Sequence, residues 1–326
     1  MTRRKFLGRV LGCMTAATLL AVLAPAAIAQ TKLKIAAGQR GNWDSSVPEV
    51  AQRMGIARKH GVELEILYTQ GAGETQQAVI SGSVDIGIAA GVMGVLGAFS
   101  KGAPIRVIAN ESTGAQDLYW YVKADSPIKS WADTAGKTLA YSTTGSSTHG
   151  VVQAFMSEKK LTAKLVATGG PPSTLTQVMS GQIDAGWVTA PLPKEFAEGK
   201  VRILARGNDA PQLATITTRV HAFNANYAQK SPRAVKSFLR AYDEAVDAVY
   251  ADPKVLARSS ELLKVTPEQG RQILTEFFPR KALTIDKIGD LDASVAQAVA
   301  NKTLKAALTD TQKAAIHKTV AEFNSK

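Results

Sequence analysis

Between residues 32 and 205 short apolar runs alternate with longer helical patterns, and no other feature constrains the fold as tightly. Residues 33–37, 62–68, 84–89 and 105–109 read as strands, with 47–60, 74–80 and 92–99 as the helices between them. The rhythm resumes with strands at 119–123, 138–141, 165–167, 183–188 and 201–205 and helices at 150–159 and 175–179. Regular strand–helix alternation predicts an α/β fold, a parallel sheet covered on both faces. At 326 residues the chain exceeds one ordinary core, so two doubly wound lobes are expected.

An internal echo sharpens the two-lobe reading. Val79-Ile80-Ser81-Gly82-Ser83-Val84-Asp85-Ile86-Gly87 returns 99 residues later as Val178-Met179-Ser180-Gly181-Gln182-Ile183-Asp184-Ala185-Gly186. In each copy a glycine suits the left-handed end of a helix, an Asp turns the chain, and a strand enters the sheet. Corners of this kind also arise independently in α/β proteins, which is the competing explanation.

After residue 230 the pattern turns helical. Ser231-Pro232 suits a helix start, and Val235, Phe238, Leu239, Tyr242, Val246 and Val249 form one apolar stripe. Thr266 with Gln269, and Thr309 with Gln312, have capping-box spacing. Ile316, Val320 and Phe323 give the last helix an apolar face. Aromatics at this spacing read as packing residues.

The N-terminus reads as an export leader. Arg3, Arg4 and Lys5 precede an apolar run, Pro25 breaks it, and Ala27-Ile28-Ala29 fits the small-x-small rule, predicting cleavage after Ala29. The string Thr2-Arg3-Arg4-Lys5-Phe6-Leu7 is twin-arginine-like, and an uncleaved anchor is the alternative. An exported, periplasmic location follows as the expectation. The formal charge of +12 falls to +8 without the four cations of residues 1–29, and the single cysteine, Cys13, lies in the same segment. Cysteine nucleophiles, disulfides and thiolate metal sites are therefore excluded from the remainder.

Several motifs fail on inspection. Gly71-Ala72-Gly73-Glu74-Thr75-Gln76 follows a strand and opens a helix, but Gln76 stands where a dinucleotide fingerprint needs its third glycine. Gly145 and Gly150 have P-loop spacing, yet Val151 and Val152 occupy the Lys and Ser/Thr positions. Ser147 lacks the closing glycine of a hydrolase elbow. His60, His149, His221 and His317 are scattered without metal-ligand spacing. Lys and Arg are dispersed singly or in pairs, without the basic, aromatic-interleaved runs of a nucleic-acid binder. No cofactor, metal or nucleic acid is expected, and no enzymatic role.

Loops suited to a small ligand remain. In doubly wound sheets ligands sit beyond the carboxyl ends of the strands, near helix N-termini. That rule selects Arg40, Gly41, Asn42 and Trp43, then Gly73 and Glu74, then Ala90 and Gly91. From the second half it selects Ser142, Thr143, Thr144, Gly145, Ser146, Ser147 and Thr148, then Gly169 and Gly170, then Trp187 and Thr189. The hydroxyls of 142–148 outnumber what one helix cap requires, so they are read as donors to a solute oxygen, against plain capping by Ser146 or Ser147. Trp43 is read as a pocket wall for a planar solute, against a core aromatic.

Particular stretches resemble a known family. Lys59-His60-Gly61-Val62-Glu63-Leu64-Glu65, the Ser81–Gly87 corner, and Tyr121-Val122-Lys123-Ala124-Asp125-Ser126-Pro127-Ile128-Lys129-Ser130 with Asp133, Gly136 and Lys137 look like periplasmic solute-binding proteins of ABC importers. The group is the one for nitrate, sulfonate, taurine and thiamine-pyrimidine precursors. The resemblance implies the type II periplasmic-binding-protein fold, two lobes around a ligand cleft with a helical C-terminal region. It places residues 30–113 and 211–326 in lobe 1 and 114–210 in lobe 2. It implies a monomer that captures a small anionic or planar organic solute and delivers it to a membrane permease and its ATPase. It also implies that Trp43 and residues 146–148 face the solute. A secreted enzyme using the same cleft, or a receptor presenting solute to a sensor, are the alternatives. Moving an open population from 1:99 to 99:1 requires about 5.5 kcal/mol, several times one hydrogen bond, so both lobes must contribute contacts.

Overall fold

The computed structural model describes residues 30–285 and 288–317. The leader, Cys13 and the cleavage position lie outside these residues, as do Val320 and Phe323. In chain order the first lobe contains β1 (Thr31–Ala37), α1 (Trp43–Arg53), α2 (Ile56–Lys59), β2 (Val62–Tyr68), α3 (Ala72–Ser81), β3 (Ile86–Gly91), α4 (Val92–Ser100) and β4 (Ile105–Thr113). The second contains β5 (Tyr119–Lys123), β6 (Thr138–Tyr141), α5 (Ser147–Glu158), β7 (Lys164–Ala167), α6 (Pro171–Met179), β8 (Gly186–Val188), α7 (Lys194–Ala197) and β9 (Val201–Arg206). The chain then returns to the first lobe through β10 (Thr217–Asn224). It continues as α8 (Ala225–Lys230), α9 (Pro232–Ala251), α10 (Pro253–Leu263), α11 (Pro267–Glu276), α12 (Leu291–Ala300) and α13 (Asp310–Ile316).

Both sheets are built to one plan. The first runs β2-β1-β3-β10-β4, with β1, β2 and β3 parallel and β10 antiparallel to β3 and β4. In the second lobe β6 pairs with β7 in parallel, and β5 lies antiparallel between β8 and β9. A parallel bridge from Leu139 to Ala185 joins the two groups in the order β7-β6-β8-β5-β9. In each lobe the antiparallel member, β10 or β5, is the strand that follows a crossing from the other lobe.

The sequence echo is a structural repeat. α3 ends on Gly82 at φ 76°, where the left-handed backbone favours glycine, and Gly181 repeats this at φ 79°. The Asp85 carboxylate accepts Lys34 N–H at 2.8 Å, and the Asp184 carboxylate accepts Thr138 N–H at 2.8 Å. Each Asp thus ties the helix exit to a parallel strand of its lobe, β1 or β6. The repeat extends beyond the matched string. Thr69 and Thr75 hydroxyls meet at 2.8 Å, and Thr168 and Thr174 meet at 2.6 Å, again 99 residues on. At Gly87 an added Cβ would lie 2.8 Å from Val79 Cγ2, and at Gly186 2.8 Å from Val178 Cγ2. Helix and sheet therefore approach closely at equivalent points.

The expected helix over 47–60 starts earlier and breaks into α1 and α2 at Gly55, φ 74°. β10 was not anticipated from the sequence. It is buried along its whole length although it carries Arg219 and His221. The α9 stripe is buried and packs on α1 and α2, and the capping boxes at Thr266 and Thr309 both form. Among the described residues no helix is long and apolar enough to cross a membrane.

Candidate functional site

A small cavity of ≈ 30 Å³ lies between the lobes, at the carboxyl ends of β1, β3, β6 and β8. Lobe 1 lines it with Gly38, Gln39, Asn42, Asp44, Ser45, Ala72 and Ala89. Lobe 2 contributes Ser142, Ser146, Ser147, Thr148, Trp187 and Thr189, and the crossing segments supply Asp117, Leu118 and Arg219.

Arg219 organises the base of the cavity. Its side chain is 3% exposed, and its guanidinium lies 2.7 Å from Asp117 Oδ1 and 3.5 Å from Asp44 Oδ2. Its Nη1 donates to Ser147 Oγ at 3.3 Å. One side chain from β10 thereby reaches α1 of lobe 1, the outgoing crossing at Asp117, and the first turn of α5 in lobe 2. Thr189 Oγ1 donates to Asp117 Oδ2 at 3.3 Å, adding the end of β8. Burial by itself would lower the Arg219 pKa, but the Asp117 and Asp44 carboxylates hold it above its ordinary value. Burial raises the Asp44 pKa, with Arg219 opposing. A buried pair of this type is costly to break, because removing one partner strands the other charge.

A second polar group supports the cavity floor from inside lobe 1. Ala89, at φ 54°, adopts a backbone that side chains disfavour, and its N–H donates to Glu111 Oε2. Tyr242 from α9 donates to Glu111 Oε1 at 3.2 Å. His221 Nδ1 lies 3.6 Å from the same carboxyl group. Burial, reinforced by the Asp44 charge, pushes the Glu111 pKa up to about 8, and burial pushes the His221 pKa down to about 3.

The structure brings seven of the sequence-selected residues to the cavity: Asn42, Ser142, Ser146, Ser147, Thr148, Trp187 and Thr189. Trp43 requires correction. It is 1% exposed, its ring lies 4.8 Å from Phe278 and 6.3 Å from Tyr250, and it belongs to the core. α1 begins at Trp43 itself, which turns this side chain toward the C-terminal helices and the next, Asp44, toward the cavity. Arg40 is also elsewhere, lying over the Tyr68 ring at 3.9 Å and paired with Glu49 at 3.2 Å. Gly41 forms the turn before α1 at φ 95°. Glu74 is exposed and accepts Gln70 N–H at 2.6 Å. Ala90 is enclosed in β3, while Gly91, Thr143 and Gly145 lie where the lobes touch.

The hydroxyls of 142–148 are mostly engaged with one another. Ser146 Oγ and Thr148 Oγ1 meet at 2.8 Å, Thr148 Oγ1 donates to Ser142 Oγ at 3.1 Å, and Ser146 caps His149 N–H at 3.1 Å. Ser147 Oγ accepts only from Arg219 and keeps a proton to donate. The indole Nε1 of Trp187 is buried without a hydrogen-bond partner, so this cavity residue has a donor to spare. Sequence reasoning missed Asp44, Asp117 and Arg219, the charged centre of the site. Nothing in the composition of Thr217–Asn224 marked Arg219 as a buried, paired charge. Among the described residues no cluster of His, Cys, Asp or Glu could hold a metal ion.

Residues 49–255 match the sequence profile of the family described as NMT1/THI5 like. The chain belongs to that family. This NMT1/THI5-like protein is 28% identical over 219 residues to a protein of Brucella abortus named as a binding protein, the match covering 65% of each chain. It is 23% identical over 230 residues to a Saccharomyces cerevisiae 4-amino-5-hydroxymethyl-2-methylpyrimidine phosphate synthase, covering 65% of this chain and 66% of that one. The alkanesulfonate-binding protein SsuA of Xanthomonas axonopodis pv. citri, solved bound to MOPS, superimposes with a TM-score of 0.71 at 17% identity. That superposition spans 89% of this chain and 98% of SsuA. The NMT1/THI5-like chain has the periplasmic-binding-protein fold, two α/β lobes about a cleft.

Proposed function

We propose that the protein is the exported solute-binding component of an ABC importer and captures a small organic solute between its lobes. The observation that carries this reading is the cavity itself, lined by both lobes and by both crossings and centred on Arg219. A site built this way is complete only when the lobes meet, which is what converts binding into a closed shape that a permease can recognise. Residues 30–113 with 211–326, and residues 114–210, are the bodies that move. Among the described residues lining the cavity, the one guanidinium is already paired with two carboxylates. An anionic solute would therefore be met by the N-terminal turns of α1 and α5 and by the Trp187 and Ser147 donors, not by a free cation.

Catalysis in the same cavity is the second reading, favoured by the synthase name of the yeast relatives. Against it, no cysteine follows Cys13, and the His149 ring is stacked on Tyr141 at 4.3 Å, with Nδ1 accepting Gly145 N–H at 3.3 Å. His149 Nδ1 is therefore already engaged with the backbone and does not serve Ser147 as a base. The test is a thermal-shift screen of sulfonates, small carboxylates, aromatic acids and pyrimidines, followed by calorimetry and recovery of the solute. A binder at 100 times its Kd stabilises the protein by about 2.7 kcal/mol. It is expected to be recovered unchanged, and Ser147→Ala is expected to weaken it. A converted solute would establish the enzyme. Stabilisation by none of the four classes would refute the capture of such solutes.

A further inference from the structure

The segment Gly71-Ala72-Gly73-Glu74-Thr75-Gln76 mimics a nucleotide loop, yet the structure turns it toward the other lobe. Gly73 N–H donates to Thr143 Oγ1 at 2.9 Å. Gln76 Nε2 reaches Gly145 O at 3.2 Å and Gly91 O at 3.4 Å, so one amide bridges a carbonyl of each lobe. Gln76 is 5% exposed, and neither Gln76 nor Thr143 lines the cavity. The backbones around them are in direct contact. A Cβ at Gly91 or Gly94 would fall 2.3 or 2.4 Å from Gly145 O, and one at Gly73 3.0 Å from Thr144 O. The space a nucleotide phosphate would need is thus filled by residues 143–145.

We propose that Gln76 and Thr143 form a latch that holds the lobes closed without touching the solute. The inference rests on the closing-lobe reading above and adds to it a determinant of affinity outside the cavity. Gln76 is a positioning residue here, and its chemistry explains its identity. A third glycine at this position would supply no side-chain donor to span from Gly91 O to Gly145 O. Apparent affinity scales with the fraction of molecules able to close, so a latch strengthens every solute by the same factor and leaves selectivity to the cavity.

The test needs no solute. Residues 30–326 contain no cysteine, so spin labels at Gln70→Cys and Ser173→Cys, exposed positions on opposite sides of the cleft, report the lobe separation without background. The unliganded protein is expected to show a population at the closed distance. Gln76→Glu, which replaces the donor with an oxygen facing Gly145 O, should reduce the closed-to-open ratio by at least the roughly 2- to 12-fold of one neutral hydrogen bond, since the two oxygens also repel. Thr143→Val, which removes the acceptor of Gly73 N–H, should act in the same direction, and it stands alone if the first variant does not fold. An unchanged distance distribution in both variants, or a wild type that is wholly open, overturns the latch. Neither result bears on whether the cavity binds a solute, which the calorimetry above decides.

Discussion

At the scale of single residues, Trp43 shows how a shift of one position changes a role. Its ring packs against Phe278 and Tyr250, so Trp43→Ala should leave a core cavity and lower unfolding free energy by about 3–5 kcal/mol. Urea denaturation checks this, and intact stability with lost solute binding would return the ring to the cavity wall. The sequence showed an aromatic following Arg40-Gly41-Asn42, a polar loop, and that context pointed to a wall. Successive side chains on a helix diverge by about 100°, so once α1 starts at Trp43, Trp43 and Asp44 face different ways. The serine- and threonine-rich loop was legible as a place but not as a chemistry. Composition counts hydroxyls, whereas only coordinates show Ser142, Ser146 and Thr148 satisfying each other. Arg219 and Asp117 were invisible for a related reason, since a buried charge is recognisable only beside its partner.

At the scale of elements, periodicity located β2, β5 and β6 at their observed bounds, because their exposed and buried positions alternate or they sit between clear turn residues. It did not reveal β10. That strand is buried on both faces, yet Thr217, Thr218, Arg219, His221 and Asn224 give it the composition of a loop. α4 permits a test that separates an element's own stability from its place between lobes. Gly94 is its third residue, and Ala in a helix is favoured over Gly by about 0.8–1.0 kcal/mol. An added methyl there would nevertheless stand 2.4 Å from Gly145 O of the other lobe and 2.6 Å from the Gln76 amide. Gly94→Ala should therefore leave the thermal midpoint of the unliganded protein unchanged or higher while enlarging its radius of gyration in solution scattering. A lower midpoint with an unchanged radius would mean that the contact belongs to folding and not to closure.

At the scale of the whole molecule, burial of ionisable groups on β4 and β10 of lobe 1 sets the pH range in which the fold is most stable. Glu111 has its pKa raised to about 8 from 4.5, so the folded state binds this proton more tightly than the unfolded chain. That contribution is present in full below pH 4.5 and is lost as pH climbs toward 8. His221 has its pKa lowered to about 3 from 6.5, so its contribution is present above pH 6.5 and is lost as pH falls toward 3. Between 4.5 and 6.5 the two slopes oppose each other; above that band the raised Asp44 acts in the same direction as Glu111. The lowered carboxylates Glu49, Asp184 and Glu244 add to the acid-side loss and have no effect above neutrality. From pH 6.5 to 8 unfolding free energy should accordingly decline by up to about 1.4 kcal/mol per unit for each proton involved. Glu111→Gln keeps an oxygen for the Ala89 N–H and removes this titration, so its urea midpoint should fall less than that of the wild type over that interval. A wild type whose stability is flat or rising there would show that Glu111 is ionised in the folded protein, and that the floor of the cavity carries a charge the present geometry assigns to neither Glu111 nor His221.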